Sequence, residues 1–163
     1  MKKHLYLFLF MFLFISPAYA EESAIEAKVI AMFNGEEFTA LANDGKLMPV
    51  KLYGIYCPAF KQPFAQQAAQ TTADAVLGKQ VEITVIGTDA SGNMLSVVKY
   101  GSGRVLQETL LSYGMAWVYN PECTIGACYR WVASQGNAKA RRSGLWSDSN
   151  PIPPWEWRRQ QGR

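Results

Sequence analysis

Val50-Lys51-Leu52-Tyr53-Gly54-Ile55-Tyr56-Cys57-Pro58-Ala59-Phe60 is the stretch that decides the fold. It reads as a strand running into a tight turn. Alternation puts Val50, Leu52 and Gly54 on one face and Lys51 and Tyr53 on the other. Pro58 ends the ladder because it has no N–H to donate. A strand end can hold side chains at a fixed depth over a groove, so chemistry is expected there.

Toward the N-terminus the pattern is a meander. Ile25 to Phe33 reads as a strand. Asn34-Gly35 signals a hairpin in which both residues accept positive φ. Phe38 to Ala42 returns as a second strand, Asn43-Asp44-Gly45 turns again, and Leu47 to Tyr53 is the third. Toward the C-terminus, Pro63 suits the first turn of a helix, where its missing N–H costs nothing. Phe64, Ala68, Thr71, Thr72 and Ala75 recur at helical spacing, and Leu77-Gly78 closes that helix with a left-handed cap. Val81, Ile83 and Val85 alternate with polar residues in a fourth strand. Asp89 to Asn93 turns, and Met94 to Tyr100 is the fifth.

A short amphipathic helix follows over Val105, Leu106, Thr109, Leu110 and Tyr113, ending at Gly114. Met115 to Tyr119 is an extended apolar segment. Tyr129 to Arg142 is a third helix with Trp131 and Val132 toward the core. Gly144-Leu145-Trp146 and Pro151 to Trp157 read as an irregular packed tail. The sum is an α+β, mainly β fold: a small closed barrel, which removes sheet edges, carrying three helices.

Residues 1–20 read as a secretory signal. Lys2 and Lys3 give a basic start, Leu5 to Ile15 is apolar, and Ala18-Tyr19-Ala20 offers a small-residue cleavage site. Pro17 and Glu21 leave the run short of the roughly 18 residues a membrane anchor needs. Cleavage after Ala20 would leave 143 of the 163 residues, enough for one domain. The expected location is the periplasm or the exterior, with no membrane attachment after cleavage.

Loss of Lys2 and Lys3 drops the net charge from +3 to +1. The remainder is uneven: residues 21–129 sum to −4 and residues 130–163 to +5. Attraction to a polyanion would therefore come from the last helix and tail. Arg130, Lys139, Arg141 and Arg142 form either a basic binding face or an ordinary solvated one.

The only histidine, His4, leaves with the signal. That excludes Ser-His and Cys-His nucleophile pairs, His-containing zinc sites and an imidazole base from the mature protein. Three cysteines remain. In an oxidising compartment Cys123 and Cys128 most simply bridge each other, for about 2 kcal/mol. A zinc site would need four ligands, and only two are local. Cys57 is left as a reactive thiol or a buried inert one.

The order of elements and a set of short motifs together resemble the staphylococcal-nuclease-like, or thermonuclease, family. The carriers are Asn34-Gly35-Glu36-Glu37, Lys51 to Pro58, Gly78-Lys79-Gln80-Val81, Asp89 to Asn93, Leu110 to Trp117, Ala138 to Trp146 and Pro153 to Arg158. The resemblance covers residues 27–158 and implies a five-stranded OB-type Greek-key barrel. It makes residues 21–163 a single domain, with a core over 26–146 and a packed tail over 147–163.

Active members of that family cleave DNA and RNA with calcium. Two carboxylates hold the metal, a third activates water, and two arginines hold the charge building on phosphorus. The resemblance places the metal ligands at Glu36 and Tyr56, the base at Ala59, and the arginines at Lys51 and Asn93. All five are substituted. Glu36, the remaining metal candidate, reaches one methylene further than Asp, and Lys51 lacks the planar fork of arginine. Tyr56 is a neutral phenol, Ala59 offers no base, and Asn93 is uncharged. Trp117 and Tyr119 match the family's base-stacking aromatic pair, and Arg141 and Arg142 are candidate nucleic-acid contacts.

These substitutions predict a non-catalytic module that binds single-stranded nucleic acid or a protein partner, as a monomer and without a cofactor. The alternative is a calcium-dependent nuclease with a rearranged or weakened site. A structural component of an envelope assembly is the third reading.

Overall fold

The computed structural model describes residues 24–162, so the expected signal segment lies outside the described residues. The elements are β1 (Ile25–Met32), β2 (Glu37–Ala42), β3 (Leu47–Leu52), β4 (Ile55–Tyr56), α1 (Ala65–Val76), β5 (Gln80–Thr88), β6 (Met94–Tyr100), β7 (Arg104–Val105), α2 (Leu106–Ser112), β8 (Trp117–Val118), α3 (Cys128–Ala140) and α4 (Pro154–Gln160). Neighbouring strands run β3-β2-β1-β5-β6-β7. A parallel pairing of Val50, Lys51 and Leu52 with Met94, Leu95 and Ser96 joins β3 to β6 and closes a five-stranded mixed barrel.

Period-two alternation fills the barrel. Phe38, Ala40, Met48, Val50, Leu52, Ile83 and Val98 are all buried. A fully buried Val, Leu, Ile or Phe contributes about 1.5–3 kcal/mol. A bulge between Val29 and Ala31 breaks the β1–β2 register and leaves Ile30 outside. α2 packs against β6 through Leu106, Leu110 and Leu111. The amide of its buried Gln107 donates to Ser96 C=O at 2.8 Å, a second hydrogen bond beside the one that carbonyl accepts from Tyr53 N–H.

Several expectations need correction. The helices are four, not three. Pro154–Gln160 is helical, started by Pro154 at its first turn. α1 begins at Ala65, after a left-handed Phe64, so Pro63 precedes the helix. Val132 is exposed on α3, and only Cys128, Trp131 and Ala138 of that helix are buried. Asn34 and Gly35 do not take positive φ. The Asn34 side chain instead accepts the N–H groups of Glu36 and Glu37, both at 2.8 Å. Gly35 is required by crowding: a Cβ there would lie 2.9 Å from Cys57 Sγ and 3.0 Å from Ala68 Cβ.

The opening stretch is two strands and a turn. Gly54 turns with φ 71°, and Ile55-Tyr56 then pairs with Val118-Trp117. Tyr53, expected to share a face with Lys51, is buried. Its hydroxyl donates to Glu122 C=O and lies 3.0 Å from Thr124 Oγ1. That fastens the barrel to a loop closed by the Cys123–Cys128 disulfide, as the cysteine spacing predicts. Cys57 is free and buried. No helix of the described residues is long and apolar enough to cross a membrane.

Candidate nucleic-acid groove

Where β4 leaves the barrel, a groove of about 1050 Å³ opens beside the start of α1 and the end of α4. Glu36, Lys51, Tyr56 and Ala59, four of the five expected site positions, line it together. The strand pattern explains their meeting. Lys51 lies on β3, Tyr56 on β4, and Glu36 in the loop before β2, which pairs with β3.

Glu36 is 5 % exposed. Its Oε2 accepts the Cys57 N–H. Burial pushes its carboxyl up to about 8, against the opposing pull of that hydrogen bond and of Lys51. At neutral pH it is therefore mostly protonated. Lys51 Nζ lies 3.1 Å from Glu37 Oε1 and 4.0 Å from Asp89 Oδ2. Half-burial alone would lower its pKa; attraction by Glu36 and Glu37 outweighs that and raises it. Burial likewise raises the Tyr56 phenol. The Tyr56 ring has the Lys51 ammonium at 5.1 Å and the Arg158 guanidinium at 5.0 Å from its centroid, both within cation–π range. Its hydroxyl donates to Glu122 Oε1 at 3.3 Å. Cys57 is also pushed up, by burial and by Glu36, which makes it an inert thiol.

Asn93 is outside the groove lining. Its amide donates to Asp89 Oδ2 at 3.0 Å, and Asp89 in turn faces Lys51. The two aromatic candidates both pack on Trp155, and neither lines the groove. Tyr119 packs edge-on to Tyr56 with centroids 5.2 Å apart, and sits 5.0 Å from Trp155. Trp117 packs 4.3 Å from Trp146, with the Lys139 ammonium 5.4 Å from its ring, and lines a separate pocket of about 60 Å³. Arg141 reaches Ser112 C=O at 3.5 Å; neither it nor Arg142 lines the groove. Arg130 pairs with Glu108 at 3.0 Å.

The calcium implied by the family resemblance does not fit these donors. Calcium takes six to eight oxygens, carboxylates foremost. Glu36 is buried with one oxygen on the Cys57 N–H, Glu37 is paired with Lys51, and Tyr56 puts a phenol where a carboxylate would be needed. Among the described residues no group of three or more His, Cys, Asp or Glu gathers as a cation site.

Arg158 completes the groove from the far end of the chain. In the sequence it stands only as the last residue of the Pro153 to Arg158 motif. Phe33 and Phe60 also line the groove, and nothing in the sequence distinguished them from core aromatics.

The closed five-stranded mixed barrel is an OB-like fold. The chain belongs to the staphylococcal nuclease homologue family, whose model matches residues 49–148. It is 34 % identical over 134 residues to an uncharacterized endonuclease of Haemophilus influenzae, covering 82 % of this chain and 73 % of that one. It is 30 % identical over 153 residues to a micrococcal nuclease of Shigella flexneri, covering 88 % and 84 %. Staphylococcal-like nuclease CAN1 of Arabidopsis thaliana is 30 % identical over 146 residues, which is 88 % of this chain but 43 % of that longer protein.

Proposed function

We propose that this protein is an exported module that binds single-stranded nucleic acid in the groove without hydrolysing it. The observation that carries the reading is the state of Glu36. Its carboxyl is buried and committed to the Cys57 N–H, and burial pushes it up to about 8, which disfavours the ionised form that a hard cation needs. The other substituted positions add to this. Tyr56 is a neutral phenol, Ala59 provides no base, and Lys51 is engaged by Glu37. What is left is a groove bearing Lys61 and Arg158 among aromatic rings, which suits phosphates and unpaired bases. The Cys123–Cys128 disulfide supports an oxidising compartment.

The relatives' printed names favour a second reading, a weakened calcium-dependent nuclease. Incubation with labelled single-stranded DNA and RNA, with calcium and with chelator, separates the two. Binding that survives chelation, with no cleavage, is expected. Calcium-dependent cleavage abolished by Glu36→Ala would establish the nuclease instead. No affinity even at low salt would leave only a structural role, since phosphate contacts are strongest there. Restoring Glu36→Asp, Lys51→Arg, Tyr56→Asp, Ala59→Glu and Asn93→Arg together should recover some calcium-dependent cleavage in a folded protein. None would mean that the family's catalytic positions lie elsewhere in this chain.

A further inference from the structure

Phe60 is 75 % exposed and Phe33 is 71 % exposed, and both line the same groove. Phenylalanine has no polar atom to explain such exposure. The other strongly exposed rings, Tyr113 and Tyr129, carry hydroxyls and lie outside the groove.

Phe60 is also held where it is. It sits in a loop between Pro58 and Pro63 that is fastened from inside by buried Gln62. The Gln62 side chain accepts Ala59 N–H at 2.8 Å and donates to Ile152 C=O at 2.7 Å. Its backbone N–H donates to Ala59 C=O at 2.9 Å. Lys61 and Phe64, with φ of 64° and 68°, take a left-handed conformation that disfavours side chains. Strain of this kind persists only where the surroundings impose it, and it clusters at ligand clamps. The Lys61 ammonium lies 5.6 Å from the Phe60 ring, and the Arg158 guanidinium lines the same space. Of the two lining carboxyls, Glu37 is paired with Lys51 and Glu36 is buried on the Cys57 N–H, so the cations left facing the groove are Lys61 and Arg158.

From this we infer that Phe60 and Phe33 are base-stacking platforms for unpaired nucleotides, with Lys61 and Arg158 meeting the intervening phosphates. The inference rests on the proposed function and gives it a specific subsite, separate from Trp117 and Tyr119. Unpaired strands are the fitting occupant because only they present free base faces to a ring. Aromatic grooves can also take proline-rich peptides, but those would leave the cations unused.

The test is fluorescence anisotropy of a labelled oligothymidylate and an abasic strand of equal length, in chelator, with the disulfide-intact protein. The oligothymidylate should bind more tightly. Phe60→Ala and Phe33→Ala should each weaken it roughly five- to a hundredfold, the range for one stacked base. Neither should change abasic binding, whereas Lys61→Ala should weaken both strands alike. Unchanged melting temperatures would show that these exposed residues carry no fold. If the wild type binds both strands and the phenylalanine variants leave oligothymidylate affinity intact, or weaken both strands equally, the stacking subsite is wrong while nucleic-acid binding stands. If the wild type binds neither strand, or takes a proline-rich peptide instead, both readings fall.

Discussion

A buried carboxyl with one hydrogen bond is a titration experiment built into the groove floor. Below about pH 4.5 Glu36 is protonated in both the folded and the unfolded chain. Between 4.5 and about 8 the folded chain keeps that proton and the unfolded chain loses it. Stability therefore falls as pH rises through this window and levels off above it. Glu36→Gln keeps an oxygen for the Cys57 N–H and removes the titration. Urea unfolding should show the variant near wild type at about pH 4 and a few kcal/mol more stable at about pH 9. Parallel pH profiles would contradict this. Glu36, Lys51, Tyr56 and Ala59 were singled out by the family resemblance, and they meet in one groove because each lies on or beside a strand end. Their states were not legible in the sequence. Burial, the Cys57 N–H and the Lys51–Glu37 pair depend on chain segments that meet only in three dimensions.

Strands 1, 2, 3, 5 and 6 were readable as elements because period-two alternation is a strong local signal. α4 was not. Its sequence Pro-Trp-Glu-Trp-Arg-Arg-Gln is too short to show a helical period, and its hold on the fold is tertiary. Trp155 packs near Tyr56, Trp117 and Tyr119, with centroids 5.0 to 6.3 Å away. The loop at residues 58–64 was equally hidden, since its geometry comes from one buried glutamine. Gln62→Ala removes the partners of Ala59 N–H and Ile152 C=O, a loss of about 1–3 kcal/mol for groups left unsatisfied. Hydrogen exchange should then quicken at the Ala59 amide while the barrel strands keep their protection. Unchanged exchange there would show that the loop does not depend on Gln62. The joint between α2 and the segment after α3 is tighter still. A Cβ on Gly114 would meet Ser143 C=O at 2.1 Å, and one on Gly144 would meet Gly114 C=O at 2.4 Å. Gly114→Ala should therefore cost more than about 4 kcal/mol, visible as failure to give a cooperative melt.

At the scale of the molecule, a few contacts tie distant parts of the chain to the groove. Arg158 and Trp155 return from the C-terminal helix to Tyr56. Tyr53 and Tyr56 both reach Glu122, beside the disulfide. Reduction should lower stability by about 2 kcal/mol, read as a drop in melting temperature on adding a thiol reductant. The barrel strands should remain paired, because their ladders do not involve the loop. Equal melting temperatures with and without reductant would show that the Tyr53 contacts alone hold it.

The bond between Cys123 and Cys128 thus sits two steps from the groove, through Glu122 to Tyr56. A chain still in the reducing interior of the cell that made it would carry the barrel without that fastening, and Tyr56 would lose a fixed partner. If the protein is exported as proposed, Tyr56 would gain that fastening only with oxidation, so the redox state of the compartment would set how rigid this wall of the groove is.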